Sequence, residues 1–258
     1  MNAGNESVQA NPVKAETRDS NLKSLYYFGG TMALVALTAN VLDVVLGFGG
    51  SEVIVNGTRT ALEWFALFQE SWFRGLYILG ILNIIYMICM VPVYFAIFAA
   101  HSNTKKIYAS LAMIIFFVSM AIYISSSAAI PMYVLSGRYA AAQTESQRAF
   151  FAAAGEAVLV RGEDFTPGSF IGLIFGGVAA LDMSLVMLRG GVFGKGTAWV
   201  GIIGFSSLSM FTICATFIPA LYFVAFYGFG TIGGLLALLW FVLVARRLFQ
   251  LGRQSNPA

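Results

Sequence analysis

Two aspartates fall inside long apolar runs of this chain, where a charge is costly enough to be a functional candidate by default. Asp43 lies in the outer part of the first run, "ALVALTANVLDVVLGF". Asn40, three residues earlier, shares its helical face. Arg74 opens the second run at a similar depth. An Asp43–Arg74 pair would neutralise both charges, either as a structural tie or as part of a binding mouth. Asp182, in "GGVAALDMSLVMLRGG", lies seven residues before Arg189. That puts it about 10 Å from the inner boundary at ~1.5 Å per residue. Asn83 in the second run and Ser206, Ser207 and Ser209 in the fifth have comparable or slightly shallower depth. Together they form either a small polar pocket or a hydrogen-bonded helix contact. Carboxyls in apolar surroundings can serve as acids or bases near neutral pH, so Asp43, Asp182 and Glu63 are the candidates for proton transfer.

Other membrane chemistries lack their residues. A retinal Schiff base needs a lysine inside a span, and Lys14, Lys23, Lys105, Lys106 and Lys195 all lie in tails or loops. Bis-histidine haem ligation needs two histidines, and His101 is alone; at an inner span end it reads as a solvated interfacial residue. No grouping of histidine, cysteine and carboxylate suggests zinc or di-iron, so neither metal nor cofactor is expected. "RGGVFGKGT" departs from a phosphate-binding loop at Arg189 and Gly196. Cys89 and Cys214 lie in apolar runs and read as buried free thiols.

The elements that must hold these residues are membrane spans. Of 258 residues, 59% are hydrophobic and 10% charged, against about 25% charged in a soluble domain. Apolar runs of about 20 residues, enough to cross a bilayer, recur along the chain. Six spans are expected near 24–48, 73–99, 107–134, 168–188, 198–217 and 222–245. Pro219 marks the turn between the last two, because proline removes an interior helix hydrogen bond. The expected fold is an all-α polytopic bundle in one domain over 23–250. A disordered tail covers 1–22, without a cleavable signal, and a short tail covers 251–258.

Basic residues near the span ends set the orientation. With the N-terminus inside, Lys14, Arg18, Lys23, Lys105, Lys106, Arg189, Lys195, Arg246, Arg247 and Arg253 face inward. Arg59, Arg74, Arg138, Arg148 and Arg161 face outward, a ratio of ten to five. Both termini are therefore expected in the cytoplasm. Two outer connections each carry an amphipathic helix. In the first, Thr60 and Glu63 have capping-box spacing. Trp64, Phe68 and Trp72 repeat every four residues, as for a helix with its aromatic side in lipid. In the second, Thr144 and Gln147 have the same spacing and Glu145 can pair with Arg148. There Phe150, Phe151, Ala154, Ala157 and Val158 make an apolar face, with Glu156 on the same helix. This helix is expected to cover the outer mouth, Phe side down, either as a cap that only covers exposed span ends or as a gating or ligand-covering lid. Gly172, Gly176 and Ala180, and separately Gly230 and Gly234, have the small-residue spacing of close helix packing.

"YVLSGRYAAAQTESQRAFFAAAGEAVLV", "GSFIGLIFGG", "VMLRGGVFGKGTAWVGIIG" and "LLALLWFVLVARRLFQLG" follow one another in this order. The order resembles that of the bacterial family known as domain of unknown function 4386. Its members carry a similar external helix, then a span, a short basic loop and a last span with a basic end. The resemblance covers roughly residues 25–252. It implies a multi-span protein of the bacterial inner membrane and supplies no catalytic residue.

The functional expectation is a non-enzymatic bundle that binds a lipid or hydrophobic small molecule, or that serves a larger membrane complex. The alternatives are an intramembrane enzyme working on a lipid or isoprenoid through its carboxyls, and a small transporter. The expected partners are the bilayer, a hydrophobic ligand or another membrane protein, and no nucleic acid.

Overall fold

The structure is a computed structural model that describes residues 12–48 and 59–254. The regular elements among them are all helical: α1 (Pro12–Phe48), α2 (Ala61–Glu70), α3 (Trp72–Ile78), α4 (Ile81–Ala100), α5 (Lys106–Ser126), α6 (Ala129–Ala141), α7 (Glu145–Gly162), α8 (Pro167–Gly190), α9 (Lys195–Phe217), α10 (Tyr222–Ala225) and α11 (Thr231–Gln254). A 3-10 turn, Pro219–Leu221, and a π turn, Phe226–Gly230, flank α10. Six stretches are long and apolar enough to cross a membrane, carried by α1, α4, α5, α8, α9 and α11.

Each span packs on two others, and the neighbours close into the ring α1–α4–α5–α8–α9–α11. The centre is filled by side chains: Met90, Tyr94, Phe116, Met183, Trp240 and Phe241 are all buried there. Lipid tails are as apolar as leucine, so close contact rather than expulsion from water holds such helices together. Small residues supply the closeness. A Cβ at Gly29 of α1 would lie 2.6 Å from Ala96 of α4, and one at Gly233 of α11 would lie 2.9 Å from the Gly204 carbonyl of α9. Gly172 and Gly176 bring α8 against Tyr123 and Ser119 of α5. In the last span the packing glycine is Gly233; Gly234 faces open space, and Gly230 lies against the Phe211 ring.

The turns follow local chemistry. Pro167 opens α8 in its first turn, where no intrahelical N–H is needed. Gly191, at φ +69°, closes the same helix in the left-handed conformation that favours glycine. The α9–α11 break begins at Pro219.

The N-terminal half of α1 and the end of α11 meet, with Tyr27 and Phe249 ring centroids 6.1 Å apart. The opposite end of the ring carries a helical cap with its own core of Trp64, Phe65, Phe68, Ala128, Met132 and Leu159. Four helices build it rather than two. The third span stops at Ser126, and α6 follows as a separate cap helix; Trp72–Ile78 is likewise distinct from the second span, which begins at Ile81. The break at Gly80 (φ +87°) separates them.

Further corrections concern the tails and the cap faces. Helix α1 begins at Pro12, so residues 12–22 are helical rather than a disordered tail, and α11 runs through Gln254. Residues 1–11 and 255–258 of the expected tails lie outside the described residues. The aromatic side of α2 is not in lipid: Trp64, Phe65 and Phe68 are buried against α6 and α7. Helix α7 is seated through Gly155, Leu159 and Gly162, while Phe150 is 68% exposed and Phe151 only half-buried. A Cβ at Gly155 would come within 2.7 Å of Ala61 and 2.8 Å of Phe65. The glycine strip, not the phenylalanines, lets the two cap helices touch.

Candidate functional site at the capped end

Under the cap, Asp164 sits in the Glu163–Thr166 link between α7 and α8. Its Oδ1 accepts the Tyr123 hydroxyl over 2.9 Å, and its Oδ2 accepts the Asn83 amide over 3.2 Å. Tyr123 is buried near the end of α5, where α8 packs so closely that a Cβ at Gly172 would lie 3.1 Å from its backbone. Asn83 sits in the first turn of α4, just after Gly80. A Cβ at Gly80 would lie 3.3 Å from the Tyr123 hydroxyl and 3.6 Å from Asp164. Three chain segments thus converge on one carboxylate. The residue after Asp164 adopts a backbone that non-glycine residues seldom take, Phe165 at φ +63°. Its ring packs on Phe211 of α9, with centroids 4.9 Å apart.

Further charges surround this group. Asp43 of α1 is near enough for its charge and that of Asp164 to act on each other. Glu163 feels Asp164, Arg59 and Glu156. The Arg59 guanidinium lies 5.1 Å from the Trp64 ring centroid. The Trp64 indole N–H faces Glu163 without closing a regular hydrogen bond. Glu156 of α7 accepts the Ala61 backbone N–H over 2.6 Å and so fastens α7 to the first turn of α2. The arrangement can hold a proton on the Tyr123–Asp164 hydrogen bond, with the Asp43 charge acting on it from α1. Among the described residues no group of three histidines, cysteines or carboxylates is placed to hold a metal ion.

A second feature lies on the flank of the cap. Phe68, Gln69, Trp72, Tyr133, Val134, Ser136 and Gly137 line a cleft of about 350 Å³ between α2, α3 and α6. Gln69 donates from Nε2 to the Ser136 hydroxyl (2.9 Å) and carbonyl (3.3 Å), and the Ser136 hydroxyl donates to the Phe65 carbonyl (3.2 Å). Around it Trp72, Phe73, Ile130, Tyr133 and Val134 are exposed. The cleft therefore opens among apolar side chains and carries a polar floor.

The residues expected to act together are dispersed. Asp43 and Arg74 form no ion pair; among the described residues the salt bridge is Glu145–Arg148, at 3.0 Å. The ionisable group whose charge acts on Asp43 is another acid, Asp164. Asn40 donates to the Ala36 carbonyl of its own helix over 3.0 Å. Asn83 belongs to Asp164, not to Asp182. Asp182 is half-buried, with Tyr94 of the second span as its ionisable neighbour. Ser206 is exposed, and Ser209 faces Gly177, five residues before Asp182, with its hydroxyl unpartnered. No hydrogen bond joins Asp182 to these serines among the described residues. His101 is fully buried rather than solvated, its ring stacked on Phe193 at 5.5 Å.

Sequence reasoning passed over Tyr123, Asp164 and the cleft. Asp164 stands in "RGEDFTPGS", which reads as a solvated turn. One signal was present: two adjacent acids just ahead of a proline-started span, separated from Pro167 by Phe165 and Thr166, with no basic residue between Arg161 and Arg189. Tyr123 gives no signal within an apolar run. The cleft joins residues about 65 positions apart, as the 67-residue separation of Gln69 and Ser136 shows.

Six apolar spans under a helical cap define a multi-pass helical membrane protein. No family model, curated protein or solved structure matches the chain.

Proposed function

We propose that the protein is a non-enzymatic membrane bundle that binds an amphiphilic lipid, or a small molecule of that shape, in the cleft at its capped end. The observation that carries this reading is the cleft itself. Its volume of about 350 Å³ falls at the small end of ligand sites, ~300–1,000 Å³. Aromatic walls flank two polar side chains, and exposed Ile130, Tyr133 and Val134 continue the apolar surface toward lipid. A tail can lie on that surface while a head group enters. The ten-to-five basic asymmetry supports a cap on the outer side with both termini in the cytoplasm. The resemblance to the domain of unknown function 4386 family supports a bacterial inner-membrane setting.

Gly137 provides the test. It lines the cleft, and a Cβ there would meet nothing within 4 Å. Gly137→Leu should therefore add bulk at the cleft wall without disturbing the fold, and leucine also favours the helix. Native mass spectrometry from mild detergent should show a lipid-sized adduct on the wild type and its loss from Gly137→Leu, at undiminished melting temperature. Equal adducts on both proteins would sink the reading.

A second reading is an acid–base site at Asp164, Tyr123 and Asp43, acting on a lipid. The strained Phe165 favours it, since such backbone outliers cluster at functional positions. It ranks below the first because both Asp164 oxygens are already engaged by protein donors.

A further inference from the structure

We propose that the cleft recognises a quaternary ammonium head group carried by a membrane lipid, held against the faces of Trp72, Tyr133 and Phe68. This rests on the lipid-binding reading above and names the chemistry of the head group.

The lining contains three aromatic rings and no charged side chain. Phe68 and Tyr133 meet at a corner, with centroids 5.9 Å apart and planes tilted by 55°. Trp72 belongs to a different helix. Its ring contact among the described residues is Phe73, at 5.9 Å, and not the Phe68–Tyr133 corner. Three aromatic rings from three helices therefore line the open space. An aromatic face is the negative pole of the ring quadrupole, and several faces around one space attract a cation that sheds little hydration. A methylated ammonium is such a cation. A primary ammonium keeps three N–H groups that need acceptors, and the cleft has few.

The polar floor points to the same sign of charge. The Ser136 carbonyl can only accept, which fixes the Gln69 amide with Nε2 toward it. The Ser136 hydroxyl proton is already given to the Phe65 carbonyl. Gln69 Oε1 takes no hydrogen bond among the described residues. The floor therefore offers an oxygen and has its own donors committed; the other donors on lining residues are the edge groups of Trp72 and Tyr133, and with no charged side chain in the lining a phosphate or carboxylate would enter without a counter-charge. Glu70 and Arg138 are both exposed and adjoin lining residues in the chain, so a zwitterionic head group finds both signs nearby.

The experiment titrates the purified full-length protein with short-chain phosphatidylcholine, phosphatidylethanolamine and phosphatidylglycerol, and with free choline, read by native mass spectrometry. Phosphatidylcholine should bind about tenfold more tightly than phosphatidylethanolamine, which is within the range of desolvated cation–π contacts. Trp72→Leu and Tyr133→Leu keep apolar bulk and remove the π face. Each should abolish the preference while tail-driven binding persists; Trp72→Phe should retain part of it. Free choline should compete only weakly, and choline binding as tight as the lipid's would overturn the lipid source. Equal affinity for choline and ethanolamine lipids, or preference for phosphatidylglycerol, would overturn the head-group assignment while leaving lipid binding standing. Retention of no lipid, with Gly137→Leu indistinguishable from wild type, would remove both.

Discussion

Tyr123 and Asp164, 41 residues apart in the chain, are joined by a 2.9 Å hydrogen bond from the phenol to the carboxylate. The bond ties the end of a spanning helix to the link between the cap and the next span. Asn83 supplies the other donor, from a third segment. Hydrogen bonds contribute about 0.5–1.5 kcal/mol each and more to an ionised partner, and burial pushes the Asp164 carboxyl up toward its neutral form. Tyr123→Phe and Asn83→Ala should each lower stability by about that amount. Their double mutant should depart from additivity, because both act on one carboxylate. Thermal or denaturant unfolding in detergent checks this, and strict additivity would show that the two donors do not share a partner.

The same measurement tests Arg74 against Asp164 as the neighbour of Asp43. Asp43→Asn and Arg74→Gln should be additive, since no pair joins them. Asp43→Asn and Asp164→Asn should be coupled, because their charges act on each other. A coupled Asp43–Arg74 cycle would contradict the placement of both residues.

The seating of α7 depends on Gly155. Gly155→Leu would force a side chain into Ala61 and Phe65, and overpacking of this kind costs roughly 1–3 kcal/mol. Gly137→Leu, one helix away and facing open space, should cost nothing. A melting temperature lowered equally by both changes would mean that α7 is not seated on this face.

Acid should loosen the start of α2. Thr60 donates its backbone N–H to Glu63 over 2.7 Å and its hydroxyl over 3.0 Å, and these bonds hold the Glu63 carboxyl below its ordinary range. A carboxyl lowered in the folded state stabilises above its unfolded pKa, and the benefit is lost as pH falls through the folded value. Melting temperature should therefore drop on acidification, and Glu63→Gln should remove that component. An unchanged pH profile in the variant would show that the cap box does not contribute.

At the other end, burial lowers the His101 pKa, and the hydrogen bond at 2.9 Å between Nδ1 and the Ile97 carbonyl offsets this only in part. The folded state prefers neutral imidazole. Its stabilisation is complete above the ordinary value of about 6.5 and declines as pH falls from there toward the lowered value. His101→Phe keeps the stack on Phe193 and cannot titrate, so its stability should vary less with pH over that window. A profile as steep as the wild type's would place the titration elsewhere.

The amino-acid sequence by itself determined the solvent and the spans. Runs such as "ILNIIYMICMVPVYFAIFAA" are long enough to cross lipid, and Pro219 and Gly191 break the chain where local backbone chemistry demands it. The box at Thr60 and Glu63 was equally legible, because its partners lie within one turn. Only the tertiary structure decided which apolar face meets protein and which meets lipid. The cap helices carry apolar residues on their exposed sides too, such as Leu62 and Val160, so periodicity cannot tell the buried side of Trp64 and Phe68 from the exposed side of Phe150. Only the tertiary structure, too, assigned Asn83 to Asp164 rather than to Asp182. Depth along a span follows from residue count, but azimuth and neighbour depend on how six helices close into a ring, and no local pattern encodes that closure.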